Sequence, residues 1–443
     1  MRDKDILQNR MIRLVLPIAF QQFMLALVGA SDAVMLGRLS QNCMSAVSLA
    51  SQVTFVFNLF MTAFVIGENM FVAQYFGKKD RAGICRIVRL VLCVSCFTAV
   101  LFMFGTIVFP VSIMHFLTNE PELIVMGSRY LQKVGVSYLL SAVAQVYLAY
   151  MKNCGAVKMS TLLSSLAVIL NIALNGVFIF GMCGAPAMGI EGAAAATVIA
   201  TAVQMAGSVF YVNVKVKQLH FRMQVRDREI TRRFWDKVVP VLLNELVWGC
   251  GFTVYSVIMG HMGTDAAAAN SIANISKNLV VCLCLGFGNA GGIIVGNELG
   301  AEHLEEAKEA GRRLTKAAIV CGVLSGALLI ILSPVIVKMV HMTPDAKEYL
   351  KGMLIICSYY LLGKSVNSMT IGGIFPAGGD SRFGLLCDTV TLWFITIPLG
   401  CLCAFVLRFP VIAVYFVLNL DEIVKLPIVY RHYRKYGWVR NIT

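Results

Sequence analysis

The chain has 443 residues, 58% of them hydrophobic and only 14% charged, with a mean hydropathy of +0.76. Soluble domains carry about 25% charged residues, so an ordinary water-soluble enzyme is excluded, and so is a disordered chain, which is defined by its lack of apolar residues. The net charge of +14 would indicate nucleic acid only as a basic stripe on a soluble module. Here the basic residues lie between long apolar runs, so no nucleic-acid partner is expected and the bilayer is the solvent.

The opening MRDKDILQNR is polar and of mixed charge, and the apolar run behind it continues for a full span without a small-residue cleavage site. No signal peptide is expected. Unpaired backbone groups are so costly in lipid that only helices and closed barrels cross it, and a crossing helix needs about 20 apolar residues. Runs of that length occur at 11–37, 45–75, 87–114, 125–151, 157–182, 189–214, 236–261, 268–298, 312–340, 349–373, 383–407 and 410–431. They are too long for barrel strands. The expected class is an all-α polytopic membrane protein with twelve transmembrane helices and both termini on one side.

Cytoplasmic loops retain Lys and Arg. One side collects the basic N-terminus, Lys78–Arg89, Lys152 and Lys158, Lys215–Lys237, Lys308–Lys316, Arg382 and Lys425–Arg440, whereas the other holds Arg38, Lys338, Lys347, Lys351 and Arg408. Both termini are therefore expected in the cytoplasm, with the protein in the inner or plasma membrane. Most of the 14 Cys sit inside apolar runs, where Cys behaves as a small hydrophobe. The nominal CxxC of Cys93 and Cys96 has no second pair at zinc spacing, so neither a metal centre nor a disulfide framework is expected.

Self-similarity is the most informative feature. Sliding the chain so that Pro17 meets Pro240 pairs VMLGR (Val34–Arg38) with VIMGH (Val257–His261). Without a gap, it also pairs SAVSLAS (Ser45–Ser51) with AANSIAN (Ala268–Asn274) and VAQYFG (Val72–Gly77) with VGNELG (Val295–Gly300). With small indels, NCGAVK (Asn153–Lys158) then meets AGGDSR (Ala377–Arg382). The reading is two pseudo-symmetric six-helix lobes, 1–214 and 237–443, joined by a basic cytoplasmic linker, 215–236. Parallel repeats of this kind flank a central cavity that rocking opens alternately to either side.

Charges inside the membrane are costly, so each is a functional candidate. Asp32 stands in the outward half of the first span and is suited to carry a proton or to take Na⁺ in exchange. Asn171 and Asn175 lie one turn apart in the fifth span, as do Thr197 and Thr201 in the sixth. With Asp32, the oxygens of Asn171, Asn175 and Thr197 make a shell suited to a hard cation such as Na⁺. In the seventh span Glu245, flanked by Asn244 and followed by Trp248, combines charge with an aromatic face as an organic cation requires. Glu68, near the cytoplasmic end of the second span, is a further candidate at this substrate or second cation site. Asp388 is also acidic, while Arg129, Lys133, Lys277 and Lys364 are basic residues within predicted spans. Catalytic signatures are missing: there is no HExxH and no GxSxG, and GKS at Gly363–Ser365 lacks the strand and the earlier glycine of a phosphate loop. No enzyme activity and no cofactor beyond a coupling Na⁺ or H⁺ is expected.

VGASDAVMLGRLS, AQYFGKKD, GIEGAAAATVIA, PVLLNELVWGCGF, HMGTDAAAANSIA and FPAGGDSR together resemble the multidrug and toxic compound extrusion (MATE) family over essentially the whole chain. That resemblance implies a monomeric two-lobed exporter of bulky, amphiphilic, cationic organic compounds driven by H⁺ or Na⁺. It also implies that Asp32 is the first-helix coupling aspartate, Asn171 an asparagine of the same cation site and Thr197 its sixth-helix threonine. Asn175 stands where several members carry a second aspartate. Glu245 resembles the seventh-helix glutamate of one branch, displaced by about a turn, and Pro376 replaces an expected arginine. A lipid-linked or polysaccharide flippase of the same superfamily is the alternative.

Overall fold

The computed structural model describes residues 2–216, 227–340 and 342–443. Linker positions 217–226 lie outside the described residues, as do the side chains of residues 2–10, on which part of the charge argument rests. Every regular element among the described residues is helical. The chain runs through α1 (Arg2–Gly37), α2 (Gln41–Gly77), α3 (Arg81–Val108), the short α4 (Pro110–Leu117), α5 (Pro121–Asn153), α6 (Val157–Phe180), α7 (Ile190–Tyr211), α8 (Arg228–His261), α9 (Thr264–Gly300), α10 (Leu304–Met339) and α11 (Pro344–Met369). It ends in shorter pieces: α12 (Phe375–Ala377), α13 (Ser381–Thr389), α14 (Ile397–Cys401), α15 (Val411–Leu418), α16 (Asp421–Val424) and α17 (Leu426–Arg434).

Ten helical stretches among the described residues are long and apolar enough to cross a membrane, the last being Ser381–Val406. The other two predicted spans are helical as well, and differ for a physical reason. In α11, Lys347, Lys351 and Lys364 dilute the apolar run, and the helix passes through a π-helical turn, Thr370–Ile374. The span expected at 410–431 is broken into α15, α16 and α17, because Asp421, Glu422 and Lys425 turn inward to one another's charges. Further π-helical turns at Val390–Thr396 and Leu402–Val406 follow Asp388. Such turns re-aim side chains without breaking the helix.

The chain forms two compact units: Met24–Val72 with Asp80–Arg233, and Met1–Phe23 with Ala73–Lys79 and Phe234–Thr443. In the first, α5 packs against α3 and α7, and α6 against α7. Leu36, Val47, Tyr130, Leu131, Ile179 and Ala194 fill one of its cores. Since lipid tails are as apolar as these side chains, close packing rather than removal from water holds such helices together. At the polar end of this unit Asp80 caps α3 by accepting from the Gly83 amide at 3.0 Å. Asp227 begins α8 in the same way, accepting from the Glu229 and Ile230 amides and from Arg86 at 2.9 Å. The Ile230 amide foremost, against some desolvation, and with help from the Glu229 amide and Arg86, holds the Asp227 carboxyl below the usual carboxylate range.

In the second unit α9, α10 and α11 pack against one another. One core is built on Ile294, Leu299, Leu314, Phe375 and Trp438. Another joins α9, α11 and α15 through Val281, Leu354 and Tyr415.

The sequence repeat is written in the backbone. Helices α2 and α9 are each 37 residues long and end on Gly77 and Gly300. Two residues on, Lys79 and Glu302 both take the left-handed conformation, at φ 61° and 63°. Gly155 and Gly379, paired in the later alignment, do likewise at φ 86° and 74°. Only glycine takes that conformation without strain, which accounts for its presence in both turns.

Candidate functional site

In the unit containing α5, the four residues expected to hold a coupling cation meet. Asp32 lies near the end of α1, Asn171 and Asn175 one turn apart on α6, and Thr197 on α7. The Asn175 amide donates to Asp32 Oδ1 at 2.6 Å and to Asn171 Oδ1 at 3.3 Å, and Asn171 donates to Thr197 Oγ1 at 3.3 Å. Thr197 in turn donates to the Ala193 carbonyl, and Thr201 to the Thr197 carbonyl. These last two bonds aim the hydroxyls along α7 rather than across to a neighbour.

The arrangement has one unfilled position. Asn175 is fully buried, yet its Oδ1 accepts no hydrogen bond. A buried acceptor without a donor costs about 1–3 kcal/mol, and a hard cation removes that cost by ligation. A carboxylate, two amide oxygens and a hydroxyl are oxygen donors of the type that Na⁺ takes, so the residues present fit that ion.

Glu68 belongs to the same unit and sits lower on α2. It is completely buried and neither carboxylate oxygen has a hydrogen-bond donor. Its charged neighbour is Lys152 near the end of α5. Arg129 and Lys133, near the start of α5, pair with Glu191 at 4.0 and 2.5 Å and remain partly exposed. A cleft of about 570 Å³ opens beside them, walled by Val125, Met126, Met188 and Ile190, a volume suited to a drug-sized molecule.

In the other unit, Glu245, Asn244 and Trp248 of α8 face a larger ionic group. Asn244 donates to Asp388 Oδ2 at 3.1 Å. Lys425 bridges Asp388 at 2.7 Å and Glu422 at 3.3 Å, and Lys364 reaches the other oxygen of Glu422 at 3.2 Å. Asn367 donates to Glu422 at 2.6 Å, while Asp421 Oδ1 has no donor. Glu245 lies in the field of Lys364 and Asp388. Glu422 and Lys425 are 1% and 2% exposed, so each is stable there only because the others are present.

One expectation changes here. Lys425, counted with the cytoplasmic loops, is an interior ion. The cation over the Trp248 ring is the chain's own Lys364, 5.3 Å from its centre. Lys277 lies against the Tyr360 ring at 4.7 Å. The roles of Asp421, Glu422, Lys425 and Asn367 were not foreseen. The visible signal was DEIVK, with Glu422 and Lys425 at i, i+3 inside an apolar stretch, where neighbouring positions share a helix face.

With this geometry in hand, comparison with known proteins identifies the chain. The MatE family model matches residues 17–177 and 240–402, its two matches opening at Pro17 and Pro240. The chain is 25% identical over 398 residues to the multidrug resistance protein PmpM of Pseudomonas aeruginosa, covering 88% of this chain and 83% of that protein. It is 25% identical over 400 residues to the probable multidrug resistance protein NorM of Rhizobium meliloti, covering 86% and 83%. Against the uncharacterized transporter YisQ of Bacillus subtilis the figures are 21% over 429 residues, 96% and 93%. In fold it matches a point mutant of the Vibrio cholerae MATE transporter VcmN, with a TM-score of 0.91 at 16% identity, covering 100% and 99% of the two chains. It also matches an outward-facing multidrug resistance MATE family transporter, with a TM-score of 0.89 at 17% identity, covering 96% and 95%. A family model matching most of the chain makes this protein a member of the MatE family, whose members are transporters and not enzymes.

Proposed function

We propose that the chain is a cation-coupled antiporter that exports bulky, amphiphilic, cationic organic compounds by alternating access between lobes 1–214 and 237–443, with the linker 215–236 and both termini in the cytoplasm. The observation that carries this reading is the nest around Asp32: one carboxylate held by Asn175, beside a buried amide oxygen that lacks a partner. Asp32, Asn171, Asn175 and Thr197 would hold the coupling ion. The unfilled Asn175 oxygen favours Na⁺, since a proton needs only the carboxylate. Binding there neutralises Asp32, and the conformation that tolerates the neutral site then releases substrate. The multidrug names of PmpM and NorM support the substrate class. Glu245, Asn244 and Trp248, together with Glu68, serve the substrate or a second cation.

The second reading, a flippase for lipid-linked sugars, is supported by Lys277, a buried lysine set against a ring. One experiment separates the readings. In proteoliposomes, a cationic dye should leave when a Na⁺ gradient is imposed, and a pH gradient applied alone tests the proton. Asp32→Asn should abolish gradient-driven efflux with an unchanged thermal midpoint. Undiminished efflux removes Asp32 from the mechanism, and transport of lipid-linked sugar without dye efflux replaces the antiporter by the flippase.

A further inference from the structure

The end of α2 does not pack with the rest of that helix. Residues Ala73–Lys79 belong to the compact unit of α8–α17, where they cross the end of α9. The crossing is reciprocal. A Cβ added to Gly77 would overlap the Asn297 carbonyl, and one added to Gly300 would overlap the Gln74 carbonyl. Position 74 aligns with 297 and position 77 with 300 in the repeat, so the two contacts are equivalent, each glycine meeting the residue three positions before its own counterpart. One turn earlier, Gly296 sits against Ala73, its own counterpart. At Gly77 and Gly300 the two backbones are in direct contact, and at Gly296 only the Ala73 methyl stands between them, so the helices can part without unthreading long side chains.

One residue breaks the symmetry. Gln74 is completely buried, and its amide donates to the Ala377 carbonyl at 2.8 Å and to the Arg440 carbonyl at 3.0 Å, while its Oε1 accepts from the Ile442 amide at 2.8 Å. Both donors and the carbonyl oxygen are thus engaged. Two of the three bonds go to the last described segment, which is itself anchored. Trp438 is fully buried, stacks on Tyr433 with ring centres 5.6 Å apart and donates to the Tyr433 carbonyl at 3.2 Å. Val439 still packs against the same core, and beyond it Arg440 is exposed while its carbonyl is held. Lys78 adds a contact to the Thr443 carbonyl at 3.4 Å.

We propose that Gln74 and the strap from Trp438 to Thr443 form a releasable latch over the crossing of α2 and α9, at the end assigned to the cytoplasm. Gln74 is then a positioning residue of the transport cycle: with the latch made, α2 and α9 stay together, and parting them toward the cytoplasm breaks the bonds to Arg440 and Ile442. This rests on the alternating-access reading above.

The test uses the strap's own chemistry. Trypsin cuts after Arg440, and the carbonyl it attacks is the one that Gln74 holds. In inside-out vesicles, mass spectrometry should find slow cleavage after Arg440 in the resting protein. Cleavage should be about tenfold faster in Gln74→Ala, the loss of bonds worth ~1.4 kcal/mol. Ile442→Pro, which removes only one N–H on the strap, should act in the same direction if Gln74→Ala fails to fold. In the unaltered protein, cleavage should also speed up when substrate and the ion gradient run the cycle. A rate in both variants no faster than that of the unaltered protein, or a rate indifferent to running transport, overturns the latch and leaves the antiporter standing. Absence of gradient-driven dye uptake into the same inside-out vesicles overturns the antiporter itself, and the latch with it.

Discussion

At the scale of single residues, the two polar groups solve burial in opposite ways. Around Asp32 the charge is single and its neighbours are neutral amides and hydroxyls, so the local balance changes whenever an ion arrives. Around Glu422 the charges neutralise one another, with Lys425 held between two carboxylates. Removing one partner from such a group strands the rest. Lys425→Met should therefore lower stability by about 3–5 kcal/mol, seen as a fall in the thermal midpoint in detergent, with partial recovery when Asp388→Asn is added. An unchanged midpoint would mean that water reaches the group. The Asp32 nest was legible in the sequence because its members lie at helical spacing in apolar runs, where a polar residue stands out. Lys425 was not, because a lysine near the end of a span reads as a loop residue until its carboxylate partners, on α13 and α16, are seen.

Among the elements, α2 and α9 show how much of a helix the sequence specifies. Their spans were expected at 45–75 and 268–298 and run Gln41–Gly77 and Thr264–Gly300. Apolar runs locate a span, but its ends are set by the turn that follows, here the left-handed Lys79 and Glu302. Glycine recurs at every fourth position of α9, and each faces a close neighbour: Ser368 at Gly288, Gly373 at Gly292, Ala73 at Gly296 and the Gln74 backbone at Gly300. Substitution should therefore be position-dependent. Gly300→Val, whose Cβ overlaps backbone, should cost about 1–3 kcal/mol or more in thermal unfolding. Gly260→Ala, which meets nothing within 4 Å, should be neutral or slightly stabilising. Equal effects of the two would contradict the close crossing. Pattern alone could not give the broken span at 410–431, since periodicity registers the polarity of Asp421 and Glu422 but not the lysines that make it tolerable.

For the whole molecule, the repeat was the strongest sequence signal, and it recurs in paired φ values and in the two matches to the family model. What it could not show is that the end of α2 departs from its own half: Ala73–Lys79 joins the unit of α8–α17, a contact between positions more than two hundred residues apart. The excess of Lys and Arg on one side makes a prediction about the entire fold. Trypsin added outside intact cells should leave the linker uncut at Lys215, Arg228 and Arg232, whereas inside-out vesicles should lose it rapidly. Cutting from outside would invert the topology and, with it, the direction of transport.

The crossing of Gly77 with Asn297 and of Gly300 with Gln74 also bears on how such a chain can change over time. Two identical polypeptides facing each other at that point would suffer any mutation there twice, on both partners together. With both faces encoded in one gene, each has its own codon and drifts alone. Position 74 is a glutamine that clamps the strap, while its counterpart at 297 is an asparagine, so one face can carry a contact that the other does not have to copy.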